Sequence, residues 1–275
     1  MLFHCGHYQL DLSRPRVMGI VNVTPDSFSD GGRFTAAEQA VEHALSLVEE
    51  GADVLDIGGE SSRPGADPVP QDEELRRVIP VIEGLAGKAG VPLSVDTFKP
   101  AVMRAAIAAG ADIINDIRAL QEPGALQAVA ASDAGVCLMH MLGTPQTMQD
   151  DPQYADVVAE VRSFLQARAA VCEAAGIAGQ RIVLDPGFGF GKRSAHNVAL
   201  LRELGSLCGL GYPLLVGLSR KSVLGHLTGS SVAERLPASI AAVVVAALKG
   251  AKILRVHDVK ATVDALRVVA AIEGT

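Results

Sequence analysis

Tryptophan is absent from the 275 residues, and aromatic side chains make up only 4% of them. A platform for stacking nucleic-acid bases needs aromatic faces, so that class of function is disfavoured. Excess positive charge is missing too, the formal net charge being −7. An acidic chain repels phosphate backbones on average, and no nucleic-acid partner is expected. A small anionic substrate stays open, because a local basic cluster acts within the screening length. The four cysteines, Cys5, Cys137, Cys172 and Cys208, include no C-x-x-C pair. That spacing argues against a disulfide framework or a zinc site and fits a reducing cytoplasm. His4-Cys5-Gly6-His7 is read as part of a terminal hairpin, since a metal site needs fixed geometry. Met1 is not followed by a basic segment and a long apolar run, so no secretory leader is expected. The most apolar stretch, 236–248, is too short to cross a bilayer core of about 30 Å. No membrane partner is expected, and the expected location is cytoplasmic.

Apolar residues, by contrast, reach 49% and charged ones only 20%, enough for a sizeable core. Eight short runs rich in β-branched residues recur at 17–21, 54–57, 93–95, 113–114, 136–139, 182–184, 214–218 and 253–256. Each is followed by a longer segment of helical period. Such alternation reads as βα units around a buried parallel sheet. Eight units in this length predict an α/β fold, a (β/α)8 TIM barrel, as one domain over 1–275. Thr35-Ala-Ala-Glu38 is a capping box ahead of an apolar face of Ala40, Val41, Ala44, Leu45 and Val48, and that helix stops at Gly51. Ser231-Val-Ala-Glu234 repeats the capping pattern. Residues 1–12 alternate weakly and are expected to form a short N-terminal hairpin closing the barrel bottom. Two connections, 22–34 and 58–70, are long and rich in Gly, Ser, Pro and Asp. Both follow predicted strands, so both fall on the face where barrel enzymes keep their sites.

Polar residues follow every one of the eight runs: Asn22, Asp56 with Glu60, Asp96, Asn115 with Asp116, His140, Asp185, then Ser219-Arg220-Lys221, and Arg255 with His257. In isolation each reads equally well as a helix cap or a loop salt bridge. In a barrel all of them converge on one rim. Asp96, Asn115 and Asp185 suit the amino and ring N–H donors of a flat heterocycle. Arg63, Lys221, Arg255 and His257 suit phosphate oxygens and a carbonyl. Gly187-Phe-Gly-Phe-Gly191-Lys192 imitates a phosphate-binding loop, but Pro186 occupies the required first glycine and Arg193 the required Ser or Thr. Its glycines are read as a tight strand-to-helix turn that brings Phe190 near a ligand.

Met18-Gly-Ile-Val-Asn-Val-Thr-Pro-Asp-Ser-Phe-Ser-Asp-Gly-Gly32 resembles the signature of the dihydropteroate synthase family. So do Gly58-Gly-Glu-Ser-Ser-Arg-Pro-Gly65, Ser94-Val-Asp-Thr97, Ile114-Asn-Asp-Ile117, Asp185-Pro-Gly-Phe-Gly-Phe-Gly-Lys192, Gly217-Leu-Ser-Arg-Lys-Ser222 and Arg255-Val-His-Asp-Val259. The motifs run end to end in family order. The resemblance implies a pterin-binding barrel that joins 6-hydroxymethyl-7,8-dihydropterin diphosphate to p-aminobenzoate and releases diphosphate, a step of folate biosynthesis. It implies that Asp96, Asn115, Asp185 and Lys221 hold the pterin. Asn22 would meet Mg²⁺, the implied cofactor, through the diphosphate. Ser62, Arg63, Arg255 and His257 would take the diphosphate, Arg255 also stacking on the pterin. Phe28, Pro64, Phe190, Ser219 and Lys221 would border the p-aminobenzoate pocket. Apart from the resemblance, Ser222 or the N-terminus of the helix beginning near it is expected to hold the carboxylate, since helix starts favour anions. Asp96, Lys221, Arg255 and His257 are the residues expected to carry catalysis. Ser62 departs from the Thr common in the family, which keeps the hydroxyl and loses a methyl.

Two alternatives share the barrel. A methyltransferase passing a methyl group from methyltetrahydrofolate to a corrinoid protein needs the ring contacts but not the diphosphate donors. An inactive pterin-binding homologue would lack some of the donors present here. Sulfonamides, as mimics of p-aminobenzoate, are expected to compete for its pocket. The helix expected over 236–248 is apolar around its circumference and must be buried on more than one face. Neighbouring helices or a second subunit would satisfy it, and the resemblance implies a homodimer.

Overall fold

The computed structural model describes residues 1–23, 36–61, 63 and 65–274. Two short antiparallel strands come first, β1 (Leu2–Cys5) and β2 (Tyr8–Asp11). Eight parallel strands follow: β3 (Arg16–Asn22), β4 (Val54–Gly58), β5 (Leu93–Asp96), β6 (Ile113–Asp116), β7 (Gly135–Met139), β8 (Ile182–Asp185), β9 (Leu215–Val216) and β10 (Ile253–Val256). Their order is β8-β7-β6-β5-β4-β3-β10-β9. A parallel bridge between Leu184 and Leu214, with Leu184 N–H donating to the Pro213 carbonyl at 3.0 Å, joins the two ends. The eight-unit barrel expected from the sequence is what forms.

β9 is shorter than the run at 214–218. Pro213 has no N–H to give the ladder, and after Val216 the chain turns away so that Lys221 N–H reaches the Leu218 carbonyl at 3.2 Å. Only Leu215 and Val216 pair with β10.

Strand side chains alternate between two faces, and the two faces have different fates. Val17, Leu55, Ile57, Val95, Ile114, Val136, Leu138 and Leu184 pack outward into the core shared with the helices. Met18, Val54, Ile113, Cys137, Val183, Leu215 and Ile253 point inward near the strand starts and pack on Phe3, Cys5 and Leu12. The hairpin therefore plugs the bottom, as expected. Gly135 makes the plug possible, since a Cβ there would lie 2.5 Å from the Phe3 ring. One step further along the same inward parity the residues become Asp56, Ser94, Asn115, Asp185 and Arg255.

The helices on the outside are α1 (Ala36–Glu49), α2 (Gln71–Leu85), α3 (Pro100–Ala109), α4 (Ala125–Ala130), α5 (Val157–Ala174), α6 (Ser194–Arg202), α7 (Leu204–Cys208), α8 (Ser222–Thr228), α9 (Leu236–Leu248) and α10 (Val259–Glu273). Of the face its period predicts, α1 buries Ala40 and Ala44 and half-buries Val41, Leu45 and Val48, and it buries Leu47 in addition. It ends as expected near Gly51, whose φ of 104° favours glycine. The Thr35 cap and nearly all of the 22–34 connection lie outside the described residues. Ser231 and Glu234 do cap each other, but on a single 3-10 turn, Val232–Glu234, ahead of α9.

Candidate active site

Asp56 sits at the centre of the inward polar layer and is fully buried. It accepts from Ser94 Oγ at 2.6 Å, Asn115 Nδ2 at 3.1 Å and Arg255 Nε at 2.6 Å. Arg255 Nη2 donates in turn to Asp96 at 2.9 Å. A carboxylate only accepts, so the Asn115 amide gives its nitrogen to Asp56 and turns its oxygen elsewhere, as an acceptor for a ligand. The guanidinium commits Nε and Nη2 and keeps Nη1 and its flat face for a ligand. Burial pushes the Asp96 carboxyl up to about 7, against the pull of Arg255 and with the push of Asp56. Burial also opposes the charge on Arg255, but Asp56 and Asp96 outweigh it and raise its pKa.

Asp185 and Lys221 form the opposite wall. Asp185 accepts the Gly187 N–H at 2.7 Å. Burial raises its carboxyl, and Lys221 works against that rise. Lys221 Nζ donates to the Phe188 carbonyl and stands 4.7 Å from the centre of the Phe190 ring. Burial pushes its ammonium down to about 8, with Asp185 opposing and Arg255 adding to the fall. The local backbone arranges this. Arg220 adopts φ 58°, rare for a side-chain-bearing residue, which sends its guanidinium outward to Asp258 at 2.5 Å while the next residue faces the barrel. Ser239 Oγ holds the turn by accepting the Arg220 N–H at 2.9 Å. Glycines keep the two walls close. A Cβ on Gly217 would lie 3.8 Å from Arg255 Cβ and 3.9 Å from Lys221 Nζ; one on Gly58 would lie 3.7 Å from Asp96 Cβ and 4.0 Å from Asn22 Oδ1.

At the rim, His257 Nδ1 is 3.0 Å from Ser219 Oγ, which also accepts the His257 N–H at 3.2 Å. Burial pushes the imidazole down to about 4, and the positive charges of Arg255, Arg220 and Arg63 push the same way. The ring is therefore neutral at neutral pH, and Arg63 is near enough for its charge to be felt there. Ser222 is exposed at the start of α8, directly after Lys221. Beside Asp96 a narrow cleft is lined by Thr97, Phe98 and Ile117. Phe28, Ser62 and Pro64 lie outside the described residues.

Three rim residues of the sequence analysis do other work. Asp116 accepts from the N–H groups of Arg118 (2.7 Å) and Leu120 (2.8 Å) and holds that turn. Glu60 binds Lys99 Nζ at 2.5 Å together with Glu74. His140 is buried against Lys192. Asp56, conversely, was expected only as one polar residue among many and proves to be the hub. Its signal is an acid inside the otherwise apolar run Val54-Leu-Asp-Ile-Gly58.

A family model described as pterin binding enzyme matches residues 18–257. Over 262 residues the chain is 55% identical to the dihydropteroate synthase of Escherichia coli strain K12, covering 95% of this chain and 93% of that one. The chain belongs to the dihydropteroate synthases. A solved dihydropteroate synthase from Xanthomonas albilineans with 4-aminobenzoic acid superposes with a TM-score of 0.94 at 59% identity, covering 100% of this chain and 98% of that one. The enzyme from the same organism in complex with 7,8-dihydropteroate gives 0.91 at 56% identity, with both chains covered in full. This membership puts the chain on the synthase side of the alternatives that the barrel left open.

Proposed function

We propose that this chain is a transferase that joins the methylene carbon of 6-hydroxymethyl-7,8-dihydropterin diphosphate to the amine of p-aminobenzoate, giving 7,8-dihydropteroate and diphosphate. The observation that carries this is Arg255. Its guanidinium is fixed by Asp56 and Asp96 in the ring-binding layer, yet it stands next to Lys221, which faces the barrel, and close to His257 at the rim. One cavity thus holds acceptors for a heterocycle below and donors for an anion above.

In this reading Asp96, Asp185 and the Asn115 oxygen accept from the pterin edge, and Lys221 donates to it. The amine nitrogen bonds to the methylene as the carbon–oxygen bond to diphosphate breaks, and the nitrogen then releases a proton. The ring can spread positive charge from the methylene carbon, and Asp96 and Asp185 favour that charge. Arg63, Arg255 and the neutral His257, as an Nε2–H donor, receive the leaving oxygens. Preorganised donors of this kind are worth roughly 3–4 kcal/mol each. The nucleophile is a neutral aniline and needs no strong base. Phe190 and Lys221 border its pocket, and the Ser222 hydroxyl is our candidate for its carboxylate.

Mg²⁺ fits this donor set. Among the described residues no group of three or more His, Cys, Asp or Glu side chains is poised to hold a metal. Magnesium is commonly held by one or two protein oxygens plus substrate phosphates, and Asn22 Oδ1, above Gly58, would be the protein oxygen. When bound, the ion would neutralise charge building on the diphosphate.

We also infer a homodimer. Val245 and Leu248 on α9 and Val268 and Ile272 on α10 leave 39%, 56%, 59% and 76% of their surface exposed, and neighbouring exposed apolar side chains mark an association face. Four free cysteines fit a cytoplasmic location; no helix of the described residues is long and apolar enough to cross a membrane.

Diphosphate release on mixing the two substrates with Mg²⁺ tests the activity. It should require p-aminobenzoate, and a sulfonamide should compete with that substrate alone. Release that ignores p-aminobenzoate would sink the proposal.

A further inference from the structure

The turn after β8 carries a side chain that the reaction as described does not use. Lys192 is 3% exposed, deep for a lysine. Its Nζ donates to the carbonyls of Gly187 at 2.8 Å, Phe190 at 2.9 Å and His140 at 3.2 Å, and lies 2.9 Å from His140 Nδ1. Three carbonyl acceptors match the three N–H donors of an ammonium. Two of them belong to the turn itself, and the third belongs to the end of β7. Lys192 Nζ thus stitches the turn to the segment that leaves β7.

The rest of the turn is held the same way. Phe188 O accepts from Lys221, Gly189 O from Gln149 Nε2 at 2.7 Å, and Gly191 O from the Tyr154 hydroxyl at 2.8 Å. Every carbonyl from 187 to 191 accepts from a side chain. The backbone has little freedom to answer otherwise. Gly187 and Gly191 take φ of 67° and 61°, and a Cβ on them would come within 1.9 Å of His140 O and 2.3 Å of Leu142 O. One backbone bond closes the turn, from Phe190 N–H to the Gly187 carbonyl at 3.1 Å, and its other carbonyls depend on side-chain donors for their position. Lys192 supplies two of these donors from one buried point.

We propose that Lys192 is a positioning residue for the p-aminobenzoate half of the site, acting through Phe190, whose carbonyl it holds and whose ring borders that pocket. This rests on the synthase reading above. The pterin contacts rest mainly on other supports: Asp96 and Asn115 on Asp56 and Arg255, Asp185 on its place in β8, and Lys221 on the turn that Ser239 holds. Loosening the turn should therefore weaken one substrate and spare the other.

The test is Lys192→Met in the full chain, which keeps the stem and removes the ammonium. The KM for p-aminobenzoate should rise about tenfold, with the KM for the pterin diphosphate within about twofold of wild type. The inhibition constant of sulfanilamide should rise by the same factor as the p-aminobenzoate KM. A p-aminobenzoate KM within about twofold of wild type, whatever happens to thermal stability, overturns the proposal, and so do two KM values that rise together. Should Lys192→Met not fold, the double variant Gln149→Ala, Tyr154→Phe loosens the same turn from its outer side. It should raise the p-aminobenzoate KM about threefold, and an unchanged value overturns the proposal equally. Wild-type protein releasing no diphosphate with p-aminobenzoate would fail the activity reading instead.

Discussion

Asp56 donates to nothing and accepts from three residues on three strands, so it fixes geometry that ligand contacts alone would leave loose. Removing one partner of a buried ion pair typically costs about 3–5 kcal/mol. Asp96 still holds Arg255 when Asp56 is lost, so Asp56→Asn should cost less, roughly 2–3 kcal/mol, read as a fall in the urea midpoint. Pterin affinity measured by calorimetry should weaken with it, because one neutral amide oxygen cannot accept from Ser94, Asn115 and Arg255 as the two charged oxygens do. An unchanged midpoint and affinity would remove Asp56 as organiser. His257 makes a second residue-scale prediction. Its folded-state pKa is about 4, below the ordinary value of about 6.5. The unfolded chain therefore takes up a proton near 6.5 that the folded protein refuses until about 4. The stability contributed by this group is complete above 6.5 and is lost as pH falls through that window. Nitrogen-15 NMR of the imidazole at pH 5.5 should show a neutral ring in the free protein, and an imidazolium signal there would contradict the account.

Elements divide the labour along the barrel axis. Phe3 in β1 is fully buried against the strand starts and far along the chain from any ligand group. Phe3→Ala should cost about 3–5 kcal/mol, read by chemical unfolding, with both KM values unmoved; a shifted KM would show that plug and site are coupled. The same division explains what the sequence could reveal. The eight strands were legible because parallel strands buried on both faces read as continuous apolar runs. Asp96, Asn115, Asp185 and Arg255 were legible because each breaks or directly follows such a run, and Lys221 because it lies in the polar segment after one. The hub role of Asp56 was not, since it depends on inward parity across β4, β5, β6 and β10, strands up to 199 positions apart in sequence. β9 was drawn too long because β-branched content says nothing about Pro213 closing the ladder or Gly217 leaving it. Lys192 was dismissed with the false phosphate-loop match, since its three carbonyl partners belong to the folded backbone and leave no mark in residue type.

The face built by Val245, Leu248, Val268 and Ile272 lies on α9 and α10, helices that flank β10 on the outside, so a subunit docked there would leave the barrel mouth open. Val268→Asp combined with Ile272→Asp should give a monomer by sedimentation equilibrium while wild type sediments as a dimer. If wild type is itself monomeric at micromolar concentration, the apolar face needs another explanation. The hairpin plug has a further consequence for traffic. Because Phe3, Cys5 and Leu12 stop the lower end, the described residues leave the barrel open only above, and under the proposed reading the deeper-lying pterin enters before p-aminobenzoate. A drug lodged beside Phe190 would then act as a cork, lengthening the stay of the pterin beneath it without touching that ring's own hydrogen bonds.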